Sequence, residues 1–117
     1  RAQMAVNERV AVPFWWIHRT HVSYFTPASL GNLLGRCGFR VVWRSTTYPM
    51  EIFLTRPGSD YTNDAALGAV LHAGVERLDL SLTREARTAL YTSMARLGDG
   101  RDMMVVAVPD DSLKRDG

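Results

Sequence analysis

Only two segments of this chain have the composition of a β-strand, and they lie far apart in the sequence. In the first, residues 39–45, apolar Phe39, Val41 and Trp43 alternate with Arg40 and Arg44, which predicts a strand with one buried face. The second, residues 102–108, contains the apolar run MMVVAV and predicts a strand that is covered on both faces. Because two strands make no stable open sheet by themselves, we expect the pair to be neighbours in a larger α/β sheet.

Helical patterns account for most of the remaining chain. Thr26 suits an N-cap, Pro27 suits the first helical position after it, and Gly38 suits the cap that ends the same helix. Thr83 precedes another apolar stripe of helical spacing. The predicted helices span residues 27–37, 64–80 and 84–97. The fold class is therefore α/β in one domain, and the polar residues 110–117 predict a flexible tail.

Composition argues against several classes of protein. The formal net charge is +2 and the arginines are scattered singly, whereas nucleic-acid binding needs them clustered, so no nucleic-acid partner is predicted. The one cysteine, Cys37, allows neither an internal disulfide nor a multi-thiolate metal site, and its place on an apolar helical stripe predicts burial. No apolar run is long enough to span a membrane, and the first ten residues lack the features of a signal peptide. We therefore expect a cytoplasmic protein without a metal site.

The most specific motif is the stretch HVSYFTPASLGNLLGRCGF, which runs from His21 to Phe39. Together with the preceding PFWWI and the later segments DYTND and LYTSMARLGDGRDMMVVAV, it resembles the C-terminal part of class I S-adenosylmethionine-dependent methyltransferases of the methyltransferase-domain type. The resemblance covers nearly the whole chain. It implies that residues 1–109 are the C-terminal portion of one Rossmann-like, doubly wound sheet domain. The two strands would be its sixth and seventh, antiparallel to each other, with residues 63–97 as a helical insertion.

The resemblance also implies where the cofactor binds. Enzymes of this family hold S-adenosylmethionine through an acidic residue and a glycine-rich turn after the first strand, and through a second acidic residue at the end of the next strand. No such turn occurs here, since the closest glycine pairs, Gly31 with Gly35 and Gly98 with Gly100, fall in a helix and at a helix end. We therefore expect no cofactor-binding residue in this segment, which by itself should neither bind the cofactor nor transfer a methyl group.

Candidate site residues lie in the aromatic loop, which we define as residues 13–25, and beyond the first strand. Methyl transfer requires a positioned nucleophile and, where that nucleophile loses a proton, a base. His21 is a candidate base or orienting residue, and ordering of the loop is an equally weighted alternative. Phe25 is expected to pack in the core as part of a hydrophobic staple. The candidates for contact with an apolar or planar small-molecule acceptor are Trp15, Trp16, Tyr24, Tyr48 and Met50.

Three functional hypotheses remain open at this stage. In the first, the chain forms the acceptor-substrate side of a methyltransferase. In the second, it is a small module without catalytic activity whose aromatic loop binds a partner protein or single-stranded nucleic acid. In the third, it is a truncated product without activity. Under the first hypothesis the segment should leave an apolar patch and an unpaired strand edge, and so should self-associate.

Overall fold

The computed structural model describes residues 2–114 and has a mixed α/β architecture. Its helices and strands follow the sequence prediction to within one residue at each end. A short helix, α1, and a 3-10 turn at Asn7–Arg9 precede the aromatic loop. The longer elements are helix α2 (Pro27–Arg36), strand β1 (Phe39–Thr46), helix α3 (Ala65–Ser81), helix α4 (Arg84–Leu97) and strand β2 (Met103–Pro109), and α1 is Ala2–Val6.

Two further 3-10 turns complete the chain. One, at Met50–Thr55, follows β1, and the other, at Asp111–Lys114, lies within the segment predicted to be a flexible tail. The last three residues of that predicted tail, 115–117, lie outside the described residues. None of the described helices combines the length and the apolar character needed to cross a lipid bilayer.

Local sequence explains both ends of α2. The Thr26 hydroxyl accepts a hydrogen bond from the Ser29 backbone N–H at 3.1 Å, and the Ser29 hydroxyl accepts one from the Thr26 N–H at 2.9 Å. This reciprocal pair satisfies two N–H groups that the first turn of a helix leaves free. At the other end Gly38 adopts a φ of 82°, a conformation that favours glycine, and turns the chain directly into β1.

Helices α3 and α4 follow one another through Leu82 and Thr83, and the start of each is capped. The Asp64 carboxylate accepts from the Leu67 N–H at 2.9 Å, and the Thr83 hydroxyl accepts from the Ala86 N–H at 3.1 Å. The hydroxyl of Tyr91 in α4 donates to the carboxylate of Asp79 in α3. Because α4 packs on β1, it returns the chain to the sheet where β2 begins.

Strands β1 and β2 pair antiparallel as neighbours, which confirms the predicted pairing. The register joins Thr46 with Met103 and Trp43 with Val106, and it shifts between Val41 and Trp43. Since side chains alternate across a strand, Trp43 and Val106 share one face of the ribbon while Thr46 and Met103 share the other. Within the described residues the sheet has two strands, so each strand has one free edge.

The prediction that β2 is covered on both faces is wrong for the described chain. Met104 and Val106 are 48% and 49% exposed, whereas Met103 and Val105 are half-buried, so burial alternates along the strand. The physical reason is that α2 and α4 both pack on β1 rather than on β2. We call the exposed apolar surface formed by Trp43, Met104 and Val106 the open face.

The buried residues of the described chain are as often polar as apolar. The apolar ones are Val6, Met50, Leu54 and Tyr91, and the polar ones are Asn7, Ser45, Thr46 and Glu51. Most of them lie at or just beyond the carboxyl end of β1, or in α1, which packs on the turn Met50–Thr55. Burying polar groups costs free energy unless they are paired, so this end of the strand is where a functional site is expected.

Candidate functional site

A cavity of about 290 Å³ opens at the carboxyl end of β1. Its walls come from the aromatic loop, the last residues of β1 and the turn that connects α4 to β2, and α1 contributes one edge. Small-molecule sites in proteins typically have volumes of roughly 300–1,000 Å³. The cavity is therefore of a size that suits a ligand with a single ring.

Aromatic side chains form one wall of this cavity: Trp16, Tyr24 and Phe25. Phe25 is 48% exposed, so its predicted place in the core is wrong. The staple fails because α2 has no buried residue, and the Phe25 ring lines the cavity instead. The Tyr24 hydroxyl accepts from the His18 backbone N–H at 2.5 Å, which ties the two halves of the aromatic loop together.

The start of the aromatic loop has an unusual backbone conformation. Phe14 adopts a φ of 57°, which is uncommon for a residue other than glycine. The side-chain oxygen of buried Asn7 accepts a hydrogen bond from the Phe14 N–H at 2.6 Å and so holds this conformation. The following rings of Trp15 and Trp16 meet edge to face with their centroids 4.7 Å apart. As a result, the two neighbouring indole rings have different contacts, and only the Trp16 ring lines the cavity.

A turn between α4 and β2 forms the polar wall and is fixed to the end of β1. Thr46 donates to the Asp102 carbonyl at 2.5 Å, and Thr47 donates to the Asp102 carboxylate at 2.8 Å. Gly100 has a φ of 111°, and a Cβ at this position would lie 1.7 Å from the Thr46 hydroxyl oxygen. A glycine is therefore required here for the turn to approach the strand so closely.

Four charged side chains line the cavity, and their formal charges balance. Arg44 comes from β1, while Asp99, Arg101 and Asp102 come from the turn. A Cβ on Gly31 would meet an Arg44 guanidinium nitrogen at 3.4 Å, so α2 lies close against this arginine. With two positive and two negative groups around it, the cavity does not select strongly for an anionic or a cationic ligand.

The structure brings together some of the predicted site residues and separates others. Trp16 and Tyr24 line the cavity, whereas Trp15, Tyr48 and Met50 do not. Met50 is only 2% exposed and lies in the core, and Tyr48 packs on Phe53 with ring centroids 6.0 Å apart. His21 also lies outside the lining. Its exposed ring is 5.6 Å from that of Tyr24 and 5.7 Å from that of His18.

A second group of side chains, which we call the polar cluster, lies next to the cavity. It consists of Trp15, Glu51, Tyr61 and Arg101, and in each of them at least one buried nitrogen or oxygen atom has no hydrogen-bond partner. Burial and the negative charge of Glu51 raise the pKa of Tyr61 to about 12, against the opposing effects of Arg101 and of the Trp15 N–H. Tyr61 is therefore within electrostatic range of Glu51 and Arg101 and lies beside the Trp15 N–H.

Sequence reasoning missed most of the polar cluster and of the polar wall. Glu51, Tyr61 and Arg101 belong to no motif, and they converge only through tertiary contacts. One indication was available: Glu51 is a single charge inside the otherwise apolar MEIFL, and a charge in such a run is a candidate for burial. Likewise, the pair Gly98 and Gly100 indicated a tight turn before β2, without showing that the turn faces a cavity.

The described residues do not fit a complete site for S-adenosylmethionine. None of their glycines forms a glycine-rich turn after a strand, and the space that a Cβ would occupy at Gly100 is filled by Thr46 rather than left open for a ligand. Among the same residues, no group of three or more His, Cys, Asp or Glu side chains is placed to hold a metal ion. The side chains that line the cavity offer aromatic packing, hydrogen bonding and charged groups of both signs.

Comparison of the chain with protein-family models, with curated proteins and with solved structures found no match. What the chain does is therefore inferred from the cavity, the polar cluster and the sequence motif.

Proposed function

We propose that the chain is the C-terminal segment of a class I S-adenosylmethionine-dependent methyltransferase, and that the cavity is the acceptor-substrate side of its site. One observation carries this proposal: the motif residues Tyr24 and Phe25 meet the turn before β2 in a cavity at the carboxyl end of β1. In open α/β sheets ligands bind outside the carboxyl ends of the strands. A cavity at this end therefore lies on the side of the sheet where an acceptor would meet a cofactor.

The open face supports the same proposal. In a Rossmann-like sheet, β1 and β2 would be the sixth and seventh strands, with another strand beside them. An apolar face and a free strand edge are what such a pair leaves when it is considered alone. The same surface would make the isolated chain self-associate, and a cytoplasmic location belongs to this proposal as well.

In this function the chain's own residues position the acceptor. The planar rings of Trp16 and Tyr24 would hold an apolar or planar molecule and exclude water from it. His21 is the proposed base or orienting residue, because its ring lies 5.6 Å from that of Tyr24, which lines the cavity, and histidine is the commonest general base in enzymes. The cofactor supplies the methyl group, and in the enzymes that the sequence resembles it is held by segments preceding the sixth strand.

A calorimetric titration with S-adenosylmethionine tests the proposal. We expect no saturable binding to this chain alone, and saturable binding to the complete product of the gene that encodes it. In that product, Trp16→Ala should reduce methyl transfer to acceptors in a small-molecule extract by about tenfold or more while leaving cofactor affinity unchanged. The matched control is Ile17→Ala, which alters the next side chain, one that does not line the cavity. A complete product that binds no cofactor would overturn the proposal.

One observation favours the alternative of a binding module without catalytic activity. His21, the candidate base, does not line the cavity, so the described lining contains aromatic and charged side chains but no histidine. The same titration separates the two functions, since a pure binding module gains no cofactor affinity in the complete product.

A further inference from the structure

The cavity at the carboxyl end of β1 combines an aromatic wall with charged side chains around one space of about 290 Å³. The rings of Trp16, Tyr24 and Phe25 form that wall, and four charged side chains line the same space. A ligand in this cavity therefore meets an apolar planar surface and charges of both signs at once.

Two of the four charged side chains have a role in the fold itself. The Asp102 carboxylate accepts a hydrogen bond from the Thr47 hydroxyl at 2.8 Å, which fixes the turn before β2 to the end of β1. Arg101 has one guanidinium nitrogen buried and lies within electrostatic range of Tyr61 in the polar cluster. The charges that remain for a ligand are those of Arg44 and Asp99.

Arg44 and Asp99 carry opposite charges and line one cavity without pairing. Arg44 lies in β1 and Asp99 in the turn after α4. Within residues 2–114, neither side chain forms a hydrogen bond or an ion pair with another group. A ligand that carries both signs can satisfy both, because its carboxylate accepts from the Arg44 guanidinium while its ammonium group donates to the Asp99 carboxylate.

Other classes of ligand leave one of these two side chains without a partner. A simple anion would pair with Arg44 but face the like charge of Asp99, and a simple cation would do the reverse. A neutral ligand would displace water from both charges without replacing it by an opposite charge, which costs free energy. The aromatic wall further requires a ring in the same molecule. An α-amino acid with an aromatic side chain has the ring, the ammonium group and the carboxylate together.

We propose that the cavity recognises a free aromatic amino acid, with its ring against Trp16 and Tyr24, its carboxylate at Arg44 and its ammonium group at Asp99. The inference names the class of acceptor for the proposed methyltransferase and rests on that function for the acceptor role, whereas binding itself is measured without the cofactor. L-Phenylalanine, 3-phenylpropanoate and 2-phenylethylamine are suitable probes, since all three carry one ring and differ in which charged groups they have.

The indole N–H resonances of the three tryptophans provide the measurement in the uniformly ¹⁵N-labelled chain at neutral pH. L-Phenylalanine should shift the resonance of Trp16 saturably and leave that of Trp43, on the open face, unchanged. 3-Phenylpropanoate lacks the ammonium group and 2-phenylethylamine lacks the carboxylate, so each should bind at least about tenfold more weakly. Equal affinity for all three probes, or no saturable shift of Trp16, would overturn the proposal.

Two substitutions assign each charged group of the ligand to its partner. Asp99→Asn should weaken the binding of L-phenylalanine by about tenfold and leave 3-phenylpropanoate, which has no ammonium group, bound at least as tightly as before. Arg44→Gln should weaken L-phenylalanine by a similar factor and leave 2-phenylethylamine, which has no carboxylate, bound at least as tightly. Both variants should fold, because neither side chain is bonded to another group within residues 2–114.

Glu76→Gln and Arg77→Gln, on the exposed surface of α3, remove the same two charges far from the cavity lining and are the matched controls. Neither should change the affinity for any of the probes. If Asp99→Asn or Arg44→Gln leaves the affinity for L-phenylalanine unchanged, that charge stays in water and the proposal is wrong. A variant that weakens all three probes equally would show an effect on the shape of the cavity, and would also overturn the proposed pairing.

The outcome is distinguishable from that of the titration with S-adenosylmethionine. Binding of L-phenylalanine in a protein whose complete form binds no cofactor would overturn only the proposed methyltransferase. Cofactor binding by the complete product, without selective binding of L-phenylalanine, would overturn only the proposed class of acceptor.

Discussion

Strand β1 has opposite surroundings along its length. At its carboxyl end the polar residues Ser45 and Thr46 are 5% and 4% exposed, whereas the large apolar residues Val42 and Trp43 before them are 48% and 41% exposed. Folding alone favours the reverse arrangement, since burial of apolar surface stabilises a protein and burial of polar groups costs free energy. This contrast supports the proposals that a ligand site lies at the polar end and that the open face contacts further protein surface.

The largest loss of stability is expected from a substitution at the polar end of β1, in the turn that packs on Thr46. Gly100→Ala would place a Cβ 1.7 Å from the Thr46 hydroxyl oxygen at a φ of 111°. Strain of this kind and overpacking each cost about 1–3 kcal/mol, so the free energy of unfolding should fall by about 3 kcal/mol. Urea denaturation followed by far-ultraviolet circular dichroism measures it.

The matched control for Gly100→Ala is Gly35→Ala in α2. A Cβ at Gly35 has no neighbour within 4 Å, so this variant should be more stable than the parent, by up to about 1 kcal/mol. If the two alanine variants are equally stable, the turn before β2 is not closely packed on Thr46.

A second prediction concerns Tyr91, which lies beneath the same end of β1 and donates to Asp79. Tyr91→Phe removes a buried hydrogen bond to a charged group and should lower the free energy of unfolding by about 2 kcal/mol at neutral pH. Tyr48→Phe is the control, and because its hydroxyl has no hydrogen bond within residues 2–114, it should stay within about 0.5 kcal/mol of the parent.

Tyr91 also predicts a dependence on alkaline pH. Burial, the hydrogen bond to Asp79 and the charge of Asp79 raise the pKa of Tyr91 above its ordinary value of 10.0. The folded state thus favours the neutral phenol, and the resulting stabilisation is complete below pH 10 and is lost as the pH rises further. The difference between parent and Tyr91→Phe should shrink above about pH 10. A constant difference up to pH 12 would contradict the assigned contact.

A smaller effect is expected at Asp60, which ties Ala11, just before the aromatic loop, to Thr62 in the segment before α3. Its carboxylate accepts from the Ala11 N–H at 2.6 Å and from the Thr62 N–H at 2.9 Å. Asp60→Asn should cost about 1 kcal/mol at pH 7, measured by urea denaturation, with Glu76→Gln as the neutral control.

The contribution of the Asp60 hydrogen bonds to the free energy of unfolding should depend on pH in the acid range. Burial raises the pKa of Asp60, but hydrogen bonds from Thr62 and Ala11 outweigh it and hold the pKa below the ordinary value of 3.8. The contribution is therefore present above pH 3.8 and is lost as the pH falls through the lower pKa of the folded state. Parent and Asp60→Asn should converge in stability at acid pH. Divergence there would assign the effect to another group.

The sequence predicted the local parts of this architecture well, because short-range chemistry determines them. The cap at Thr26 and the glycine turn at Gly38 each depend on neighbours within a few residues. The predicted buried face of β1 was wrong, because Phe39 and Trp43 are each 41% exposed and the buried residues of the strand are Ser45 and Thr46. The pairing of β1 with β2 was also predicted correctly, because each strand has only one possible partner among the described residues.

Burial was predicted less well, because it depends on which surfaces meet. Cys37 was expected to be buried and is exposed, since α2 has an apolar stripe but no buried residue. The predicted core position of Phe25 and the predicted cover on both faces of β2 were wrong for the same reason. Of the candidate site residues, those adjacent to the motif, Trp16 and Tyr24, were found at the cavity. The polar cluster depends on residues as far apart as Trp15 and Arg101, which no periodic pattern connects.

The smallest effect is expected at the open face, and it sharpens the comparison with the polar end. Val106→Thr keeps the shape of a side chain that is 49% exposed, so its hydroxyl stays in water and the free energy of unfolding should change by no more than about 0.5 kcal/mol. Val105→Thr, the same change on the half-buried side of β2, should cost more, about 1 kcal/mol, because its hydroxyl loses water.

Sedimentation equilibrium should show weaker self-association for Val106→Thr than for the parent. In the complete gene product, a helix packed on the proposed methyltransferase sheet would cover Val106, and the cost of Val106→Thr should rise to that of Val105→Thr or above. An unchanged small cost there would mean that the open face remains in water, and that β1 and β2 are not part of a larger sheet.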